Sequence, residues 1–249
     1  MKSRVGTTLA GITITLLSAS LVAQSPTTDE GDGHHVVHFD EVLQARGIPL
    51  THASLAAALY NNDPRIRLEA ASVLAENHDP DAASLIKGAL ATESDLKTTI
   101  EFAGILVSLG DAAGENRLTK ICADESLPAE TVSYAVFQLV LRQSGAQCID
   151  VLIRRAQNPT SRNNTTSLIE ALTRLYRSAS PAQKNEISTV FQNGLSDKKP
   201  TTRVVASRGL AQTASPNSAE IIKIALQREV DPIVRAGMES DLTTLTAKH

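Results

Sequence analysis

Aromatic side chains are scarce in this sequence of 249 residues: tryptophan is absent, and only four phenylalanines and three tyrosines occur. β-Sheets depend on aromatic and β-branched residues to fill their packed faces. Alanine and leucine dominate here instead, and such residues favour helices that pack closely together. The composition therefore predicts an all-α fold.

The sequence also lacks the motifs of common catalytic sites. It contains no nucleophile elbow, no phosphate-binding Walker loop, no H-E-x-x-H helix and no C-x-x-C pair. His52, His78 and His249 have no carboxylate or nucleophile partner at a spacing that indicates catalysis, and we interpret His52 and His78 as structural. We therefore expect no catalytic residues, no cofactor and no enzymatic activity.

Charge is nearly absent from the first 24 residues. Lys2 and Arg4 precede an uncharged run of Leu, Ile, Ala and Thr, which ends in small residues. This pattern is typical of an export signal and predicts a signal peptide over residues 1–24, with a periplasmic or secreted mature chain. The alternative is an uncleaved anchor, because Val5–Ala23 is nearly long enough to cross a bilayer.

Residues 25–38 are polar and acidic, which predicts a flexible leader. His34, His35 and His38 lie in it close to two carboxylates, and imidazole and carboxylate groups together can bind a divalent transition metal. A solvated leader provides no fixed surroundings to orient such ligands. We favour an incidental polar tract over a metal-binding leader, and therefore predict no metal site.

The two parts of the mature chain carry opposite charge. From Ser25 to Asp150, 8 Lys and Arg residues stand against 19 Asp and Glu residues, whereas residues 151–249 have 14 against 8. Such a division argues against a uniform nucleic-acid surface. It suggests either self-association or a partner of mixed charge.

A helix-opening motif recurs at a spacing of roughly 30 residues along the chain. Its best copy is Asp63-Pro64 with Arg67, where the aspartate can cap the first turn and proline loses no hydrogen bond. Further first helices are predicted to open at Ser94-Asp95, Leu127-Pro128, Asn158-Pro159, Lys199-Pro200 and Asp231-Pro232, and second helices at Asp79-Pro80, Asp111, Gly145, Ser180-Pro181 and Ser215-Pro216. Together with two short capping helices over 39–46 and 51–60, this predicts five helix pairs and a final helix within residues 39–249.

The repeated motif resembles the HEAT repeat family, and specifically its short phycobilisome-lyase-like variety. The residues that carry the resemblance are Asp63, Pro64, Ile66, Arg67, Ala70, Ala71, Leu74, Asp79, Pro200, Arg203, Val204, Ala206, Leu210, Asp231, Pro232, Val234, Arg235 and Ala236. The third unit departs from the pattern because the segment from Val132 to Leu141 lacks the arginine, and the fourth because Arg162 is followed by Asn163-Asn164-Thr165-Thr166. The resemblance covers roughly residues 50 to 249 and is specific for the fold only.

The resemblance implies an α-solenoid whose first helices form the convex wall and whose second helices line the concave wall. It also implies a structural ladder between neighbouring repeats. In that ladder Arg67, Arg203 and Arg235 would bond acidic side chains or carbonyls, and Asp63 and Asp231 would cap the first helices.

One alignment of the second helices yields a candidate binding stripe. It places Leu85, Leu118, Leu152, Ile187 and Ile221 in one core column. Two residues later, about 200° round the helix, stand Lys87, Lys120, Arg154, Thr189 and Lys223. The four cations are the predicted partner-binding residues, suited to an acidic partner. A solvated face without function is the simpler alternative, because no aromatic anchors lie beside the stripe.

The same alignment separates the two cysteines. Cys122 falls in a core column, whereas Cys148 lies eight residues before the equivalent position in the next second helix. That difference is about 12 Å along a helix axis, beyond the reach of a disulfide. The alignment predicts two free thiols.

We therefore predict an exported, non-catalytic HEAT-repeat scaffold that binds a protein or peptide along its concave face. One alternative, implied by the resemblance, is an enzyme or enzyme-accessory protein of the phycobilin-lyase type. Export counts against that alternative, since phycobilisomes are assembled inside the cell. A third interpretation is a metal-binding leader on a structural scaffold. We expect no nucleic-acid partner and no membrane span after signal cleavage. Association of copies of the chain through their acidic and basic halves is a further alternative.

Overall fold

The computed structural model describes residues 39–141, 144–158, 164–215 and 217–247. Within these residues the chain forms thirteen α-helices and no strand, which confirms the predicted all-α class. The helices are α1 Phe39–Ala45, α2 His52–Ala58, α3 Pro64–Glu76, α4 Ala82–Thr92, α5 Leu96–Ser108, α6 Ala112–Ala123, α7 Ala129–Val140, α8 Ile149–Gln157, α9 Thr165–Leu175, α10 Pro181–Gly194, α11 Pro200–Thr213, α12 Ser218–Arg228 and α13 Pro232–Thr246. In this part of the chain, no helix has the length and apolar character needed to span a bilayer.

Most of the helices begin where the capping residues predict. Asp63 accepts a hydrogen bond from Arg65 N, Asp111 from Ala113 N and Asp231 from Ile233 N. These bonds satisfy backbone amides that have no partner inside the helix. Proline occupies the first turn of α3, α10, α11 and α13, where its missing N–H costs nothing.

The helices build an α-solenoid of five pairs, preceded by α1 and α2 and closed by α13, as predicted. The first helices of the pairs stack in chain order, from α1 through α3, α5, α7, α9 and α11 to α13. Small buried side chains allow this close approach, since one or more fully buried alanines lie in most of these helices: Ala70, Ala71, Ala103, Ala135, Ala171 and Ala206. The buried side chains form two hydrophobic clusters, and α5 contributes to both of them.

The second helices form a looser layer. Apart from α8 with α10, successive second helices make few contacts with one another. This loose spacing leaves room for a groove between α10 and α12.

An arginine ladder links neighbouring repeats along the first helices. Arg67 donates to both carboxylate oxygens of Glu93 at 2.7 and 2.8 Å, and to the carbonyl of Asn61 at 2.8 Å. Arg203 makes the same fork with Glu229 at 2.6 and 2.9 Å, and contacts the carbonyl of Asp197. Each guanidinium thus joins the loop before its own helix to the loop before the next first helix.

The last arginine of the ladder makes a partial set of these contacts. Arg235 Nη1 donates to the carbonyls of Leu226 and Glu229 at 2.9 and 3.0 Å. Its carboxylate neighbour is Glu239, at 3.8 Å on the same helix. Arg235 therefore fastens α13 to the end of α12 and to the loop between the two helices.

The third pair replaces the missing ladder arginine with a residue from its second helix. Helix α7 contains no arginine, and Arg155 of α8 is buried and donates to the carbonyl of Leu127 at 2.7 Å. Burial lowers the pKa of Arg155, while nearby carboxylates oppose this shift. A guanidinium from a different helix therefore holds the equivalent loop.

The opening of the fourth pair differs from the prediction. The sequence pattern placed it at Asn158-Pro159, but α9 begins at Thr165 and Asn164 caps it by accepting from Thr166 N. Asn158 instead ends α8. The Asn-Pro pair imitates a cap-and-proline opening, whereas the cap is made by the later asparagine.

The prediction of two free thiols is wrong, because Cys122 and Cys148 form a disulfide. Their Cα atoms are 5.8 Å apart, within the normal range for a disulfide. A 3-10 turn over Ala146–Cys148 precedes α8 and lies against α6. There Gln147 donates to Thr119 at 2.8 Å.

The disulfide requires α8 to be displaced along its axis. Arg154 of α8 contacts Glu125, which lies beyond the last residue of α6. This contact, the disulfide and the bond between Gln147 and Thr119 join residues 26 to 29 positions apart, whereas the alignment assumed from the sequence pairs residues 34 apart, so α8 lies several residues farther along than assumed. This shift brings Cys148 level with Cys122.

Candidate partner-binding surface

The four cations predicted to bind a partner lie in different surroundings. Lys87 lies 3.1 Å from Asp111, and Arg154 pairs with Glu125, so two of the four already have carboxylate partners. The other two, Lys120 and Lys223, are exposed. The axial shift of α8 also moves Arg154 out of line with Lys120.

The angular positions of the cations differ as well. Leu118, Leu152 and Ile187 are fully buried, as the predicted core column requires. In the first and last pairs, however, Ile86 and Ile222 are buried instead of their preceding neighbours. Lys87 and Lys223 therefore stand one residue from the core position, about 100° round the helix, rather than about 200°.

Exposed apolar side chains gather at the C-terminal end of the array. Five large apolar side chains are exposed in the described residues, and three of them lie in or beside the last pair: Ile224, Val230 and Ile233. Val230 is 90% exposed and Ile233 is 79% exposed. Large exposed apolar groups that lie together often mark an interaction site.

A groove of about 420 Å³ lies beside Ile224 and Val230, between the end of α10 and helix α12. Its lining includes Leu195 from the end of α10 and Ile224 and Arg228 from α12. Val230 also lines it, in the loop that follows α12. We call this cavity the α10–α12 groove. Lys223, one of the four predicted cations, directly precedes Ile224 on α12 and is exposed, but it does not line the groove.

The ladder pair Arg203 and Glu229 also lines the α10–α12 groove. The Glu229 side chain is 4% exposed and that of Arg203 is 15% exposed. The bond to Arg203 holds the pKa of Glu229 below its ordinary value, so the carboxylate stays ionised. Glu229 also accepts from Val230 N and Asp231 N at 3.0 and 2.9 Å, which fixes the loop beside the groove.

A second polar cluster lies between α5 and α7, and the sequence pattern did not indicate it. Glu101 accepts hydrogen bonds from the Tyr134 hydroxyl and, at 3.2 Å, from Gln138 Nε2. The guanidinium of Arg174 lies 5.7 Å from the ring centre of Phe137, the residue before Gln138. Burial raises the pKa of Glu101 above its ordinary value.

The raised pKa of Glu101 gives a pH-dependent contribution to stability. The folded chain holds this proton more tightly than the unfolded chain, so the free energy of unfolding falls as pH rises from the ordinary glutamate pKa through the raised one. We expect Glu101→Gln, which cannot ionise, to melt at a higher temperature than the parent near pH 8 and at the same temperature near pH 4. Thermal unfolding followed by circular dichroism tests this, with exposed Glu41→Gln as the control. A constant difference at all pH values would contradict the expectation.

His52 has a carboxylate partner, contrary to the interpretation from sequence spacing. Its Nδ1 lies 2.7 Å from Asp79 Oδ2, although the two residues are 27 positions apart. This bond raises the pKa of His52 and lowers that of Asp79. The histidines of the leader, His34, His35 and His38, lie outside the described residues.

Comparisons with known proteins identify no family for this chain. No model of a protein family matches the chain, and no curated protein matches it. Among solved structures, the chain is similar to human deoxyhypusine hydroxylase in complex with glycerol, at 16% identity and a TM-score of 0.40. The similarity covers 84% of this chain and 77% of the hydroxylase chain.

The expectation that the chain is not an enzyme is corrected by this comparison. Human deoxyhypusine hydroxylase is an enzyme with a HEAT-like fold, so a helical repeat architecture is no ground for excluding catalysis. At this identity and TM-score, the similarity assigns no activity to the present chain. The described residues form an all-helical repeat array.

Proposed function

We propose that the chain is an exported repeat scaffold that binds an acidic segment of a protein partner. Two features support export: the signal-like first 24 residues, and the disulfide between Cys122 and Cys148. Disulfides persist in oxidising compartments such as the periplasm and the extracellular space. Repeat arrays commonly offer an extended surface to a partner.

The observation that carries the binding proposal is the exposed apolar wall of the α10–α12 groove. Ile224 and Val230 provide apolar surface that a partner side chain can cover, which is the usual source of binding energy. Lys223 and Arg228 stand on the same helix and attract carboxylates, which orients the partner. The cation excess of residues 151–249 extends this attraction over the C-terminal half.

Charge reversal at the groove tests this proposal. We expect Lys223→Glu together with Arg228→Glu to weaken binding of the acidic partner at least tenfold, because two attractive charges become repulsive. The partner is recovered by crosslinking and affinity capture of the mature protein from its native envelope or medium. Titration of a labelled partner peptide, by fluorescence anisotropy, then measures the affinity of each variant.

A matched control reverses cations elsewhere on the second helices. Arg117→Glu with Lys120→Glu changes net charge equally on exposed positions of α6. Similar weakening by both pairs would indicate long-range attraction without a defined site, and unchanged binding in the Lys223 and Arg228 variant would exclude the groove. Joint reversal of Lys87, Lys120 and Arg154 tests the original stripe in the same assay.

A second copy of the chain is the alternative acidic partner. Residues 25–150 carry 19 acidic against 8 basic side chains and so offer a complementary surface. Sedimentation of the mature protein at low and high salt distinguishes the two partners. Self-association that disappears at high salt and in the Lys223 and Arg228 variant identifies the second copy.

The finer resemblance, to phycobilisome-lyase-like HEAT repeats, is a second proposal. It is supported by the capping and ladder residues of the best copies, Asp63 with Arg67 and Asp231 with Arg235. The function it implies is that of an enzyme-accessory protein or lyase acting on bound tetrapyrroles. A change in the absorption spectrum of a tetrapyrrole added to the purified protein would support it, and an unchanged spectrum would count against it.

A further inference from the structure

We propose that His52, Asp79 and Asp81 form a binding site for a divalent transition metal ion. His52 is the first residue of α2, while the two aspartates belong to the turn between α3 and α4. One ligand atom from each side chain lies within 4.8 Å of the others. The fold thus brings an imidazole and two carboxylates together from two separate segments.

The distances suit exchange of a proton for a metal ion. Three ligands at about 2.1 Å from a tetrahedral ion stand roughly 3.4 Å apart. His52 Nδ1 and Asp79 Oδ2 are now 2.7 Å apart and share a hydrogen bond. Placing an ion between them requires these two atoms to move apart by less than about 1 Å, which the exposed imidazole ring can provide by rotation.

Contacts outside the ligand set hold the backbone in place. The Thr51 hydroxyl accepts from Ser54 N and fixes the first turn of α2, on which His52 stands. The other oxygen of Asp79, Oδ1, accepts from Asp81 N at 2.9 Å and fixes the turn that carries both aspartates. Orientation by such bonds raises the affinity of metal ligands.

The cluster has an excess of negative charge. In the described part of the chain, neither Asp79 nor Asp81 forms an ion pair with lysine or arginine, and His52 is the one basic partner of Asp79. Asp81 stands at the N-cap position of α4, yet its side chain makes no capping bond. Asp63, Asp95 and Asp111, in contrast, all cap their helices. The Asp81 carboxylate is therefore available as a ligand.

The donor set indicates the class of ion. One imidazole nitrogen and two carboxylate oxygens match the ligands that Zn²⁺ accepts in open sites, with water in the remaining position. Calcium and magnesium prefer oxygen ligands throughout. We therefore choose Zn²⁺ as the probe.

Calorimetric titration of the metal-free protein with Zn²⁺ tests the proposal. The leader histidines can bind zinc independently, so the reference chain carries His34→Ala, His35→Ala and His38→Ala. We expect this reference chain to bind one Zn²⁺ ion. His52→Ala and Asp81→Asn, introduced separately, should each weaken binding about tenfold or more, since each removes a ligand from a site with only three.

The control is His78→Ala, which removes an exposed imidazole beside the same turn but outside the cluster. Circular dichroism verifies that every variant keeps its helices, and Asp81→Asn remains informative if His52→Ala unfolds. Unchanged affinity in both ligand variants, equal weakening by His78→Ala, or no zinc binding by the reference chain would each overturn the proposal.

Discussion

Replacing Arg203 by methionine is expected to destabilise the C-terminal repeats by about 3–5 kcal/mol. The substitution leaves the Glu229 carboxylate, 4% exposed, without the guanidinium that neutralises it. It also removes the bond to the carbonyl of Asp197, so two loops lose their common anchor. Urea unfolding followed by circular dichroism measures the loss, and hydrogen exchange in α11 locates it.

Arg235→Met provides the matched control for this variant. Arg235 occupies the same position in α13 as Arg203 does in α11, but its main contacts are two backbone carbonyls. Its replacement should cost only about 1–2 kcal/mol. Equal losses for the two variants would show that the forked pair with Glu229 adds nothing beyond the carbonyl contacts.

Removal of the disulfide has the second large effect. The sequence separation between Cys122 and Cys148 is 26 residues, and a cross-link of that length restricts the unfolded chain by about 3 kcal/mol. The double variant Cys122→Ser and Cys148→Ser should therefore unfold at a clearly lower urea concentration than the oxidised parent. A thiol titration of the denatured, unreduced parent should detect no free thiol.

Reduction of the parent separates the cross-link from the serine substitutions. Dithiothreitol should lower the stability of the parent and leave that of the double-serine variant unchanged. A reductant effect of equal size on both proteins would indicate a cause other than the disulfide. Detection of two free thiols in the unreduced parent would show that the bond does not form.

The helix boundaries followed largely from the sequence because their causes are local. Asp63 and Asp231 cap amides of the first turn that follows them. Proline favours the first helical position, directly after the cap, for steric reasons. These effects act within four residues, so they appear in the sequence as a short pattern. The false opening at Asn158-Pro159 shows the limit, since the same residue types also end a helix.

The disulfide could not be predicted because it depends on how far one helix slides past another. The alignment assumed that all second helices begin at the same height in the array. The turn Ala146–Cys148 precedes α8 and places it at a different height. Nothing within the helix fixes this height. The pairing of Cys122 with Cys148 is set by contacts between helices, such as Gln147 with Thr119.

The acidic partners of the ladder were missed although the sequence contains a signal for them. Glu93 and Glu229 each lie 26 residues after their arginine and two residues before a capping aspartate. That repeated Glu-x-Asp spacing would have identified both. The apolar wall of the α10–α12 groove has no such signal, because the exposure of Val230 depends on where the neighbouring helices end.

The bridge between Cys122 and Cys148 closes a covalent ring that contains the whole of α7 and the loops on either side of it. A protease that cuts the loop Asp124–Leu127 would therefore open the ring without releasing a fragment. The acidic N-terminal part and the basic C-terminal part would remain one molecule until the sulfurs are reduced.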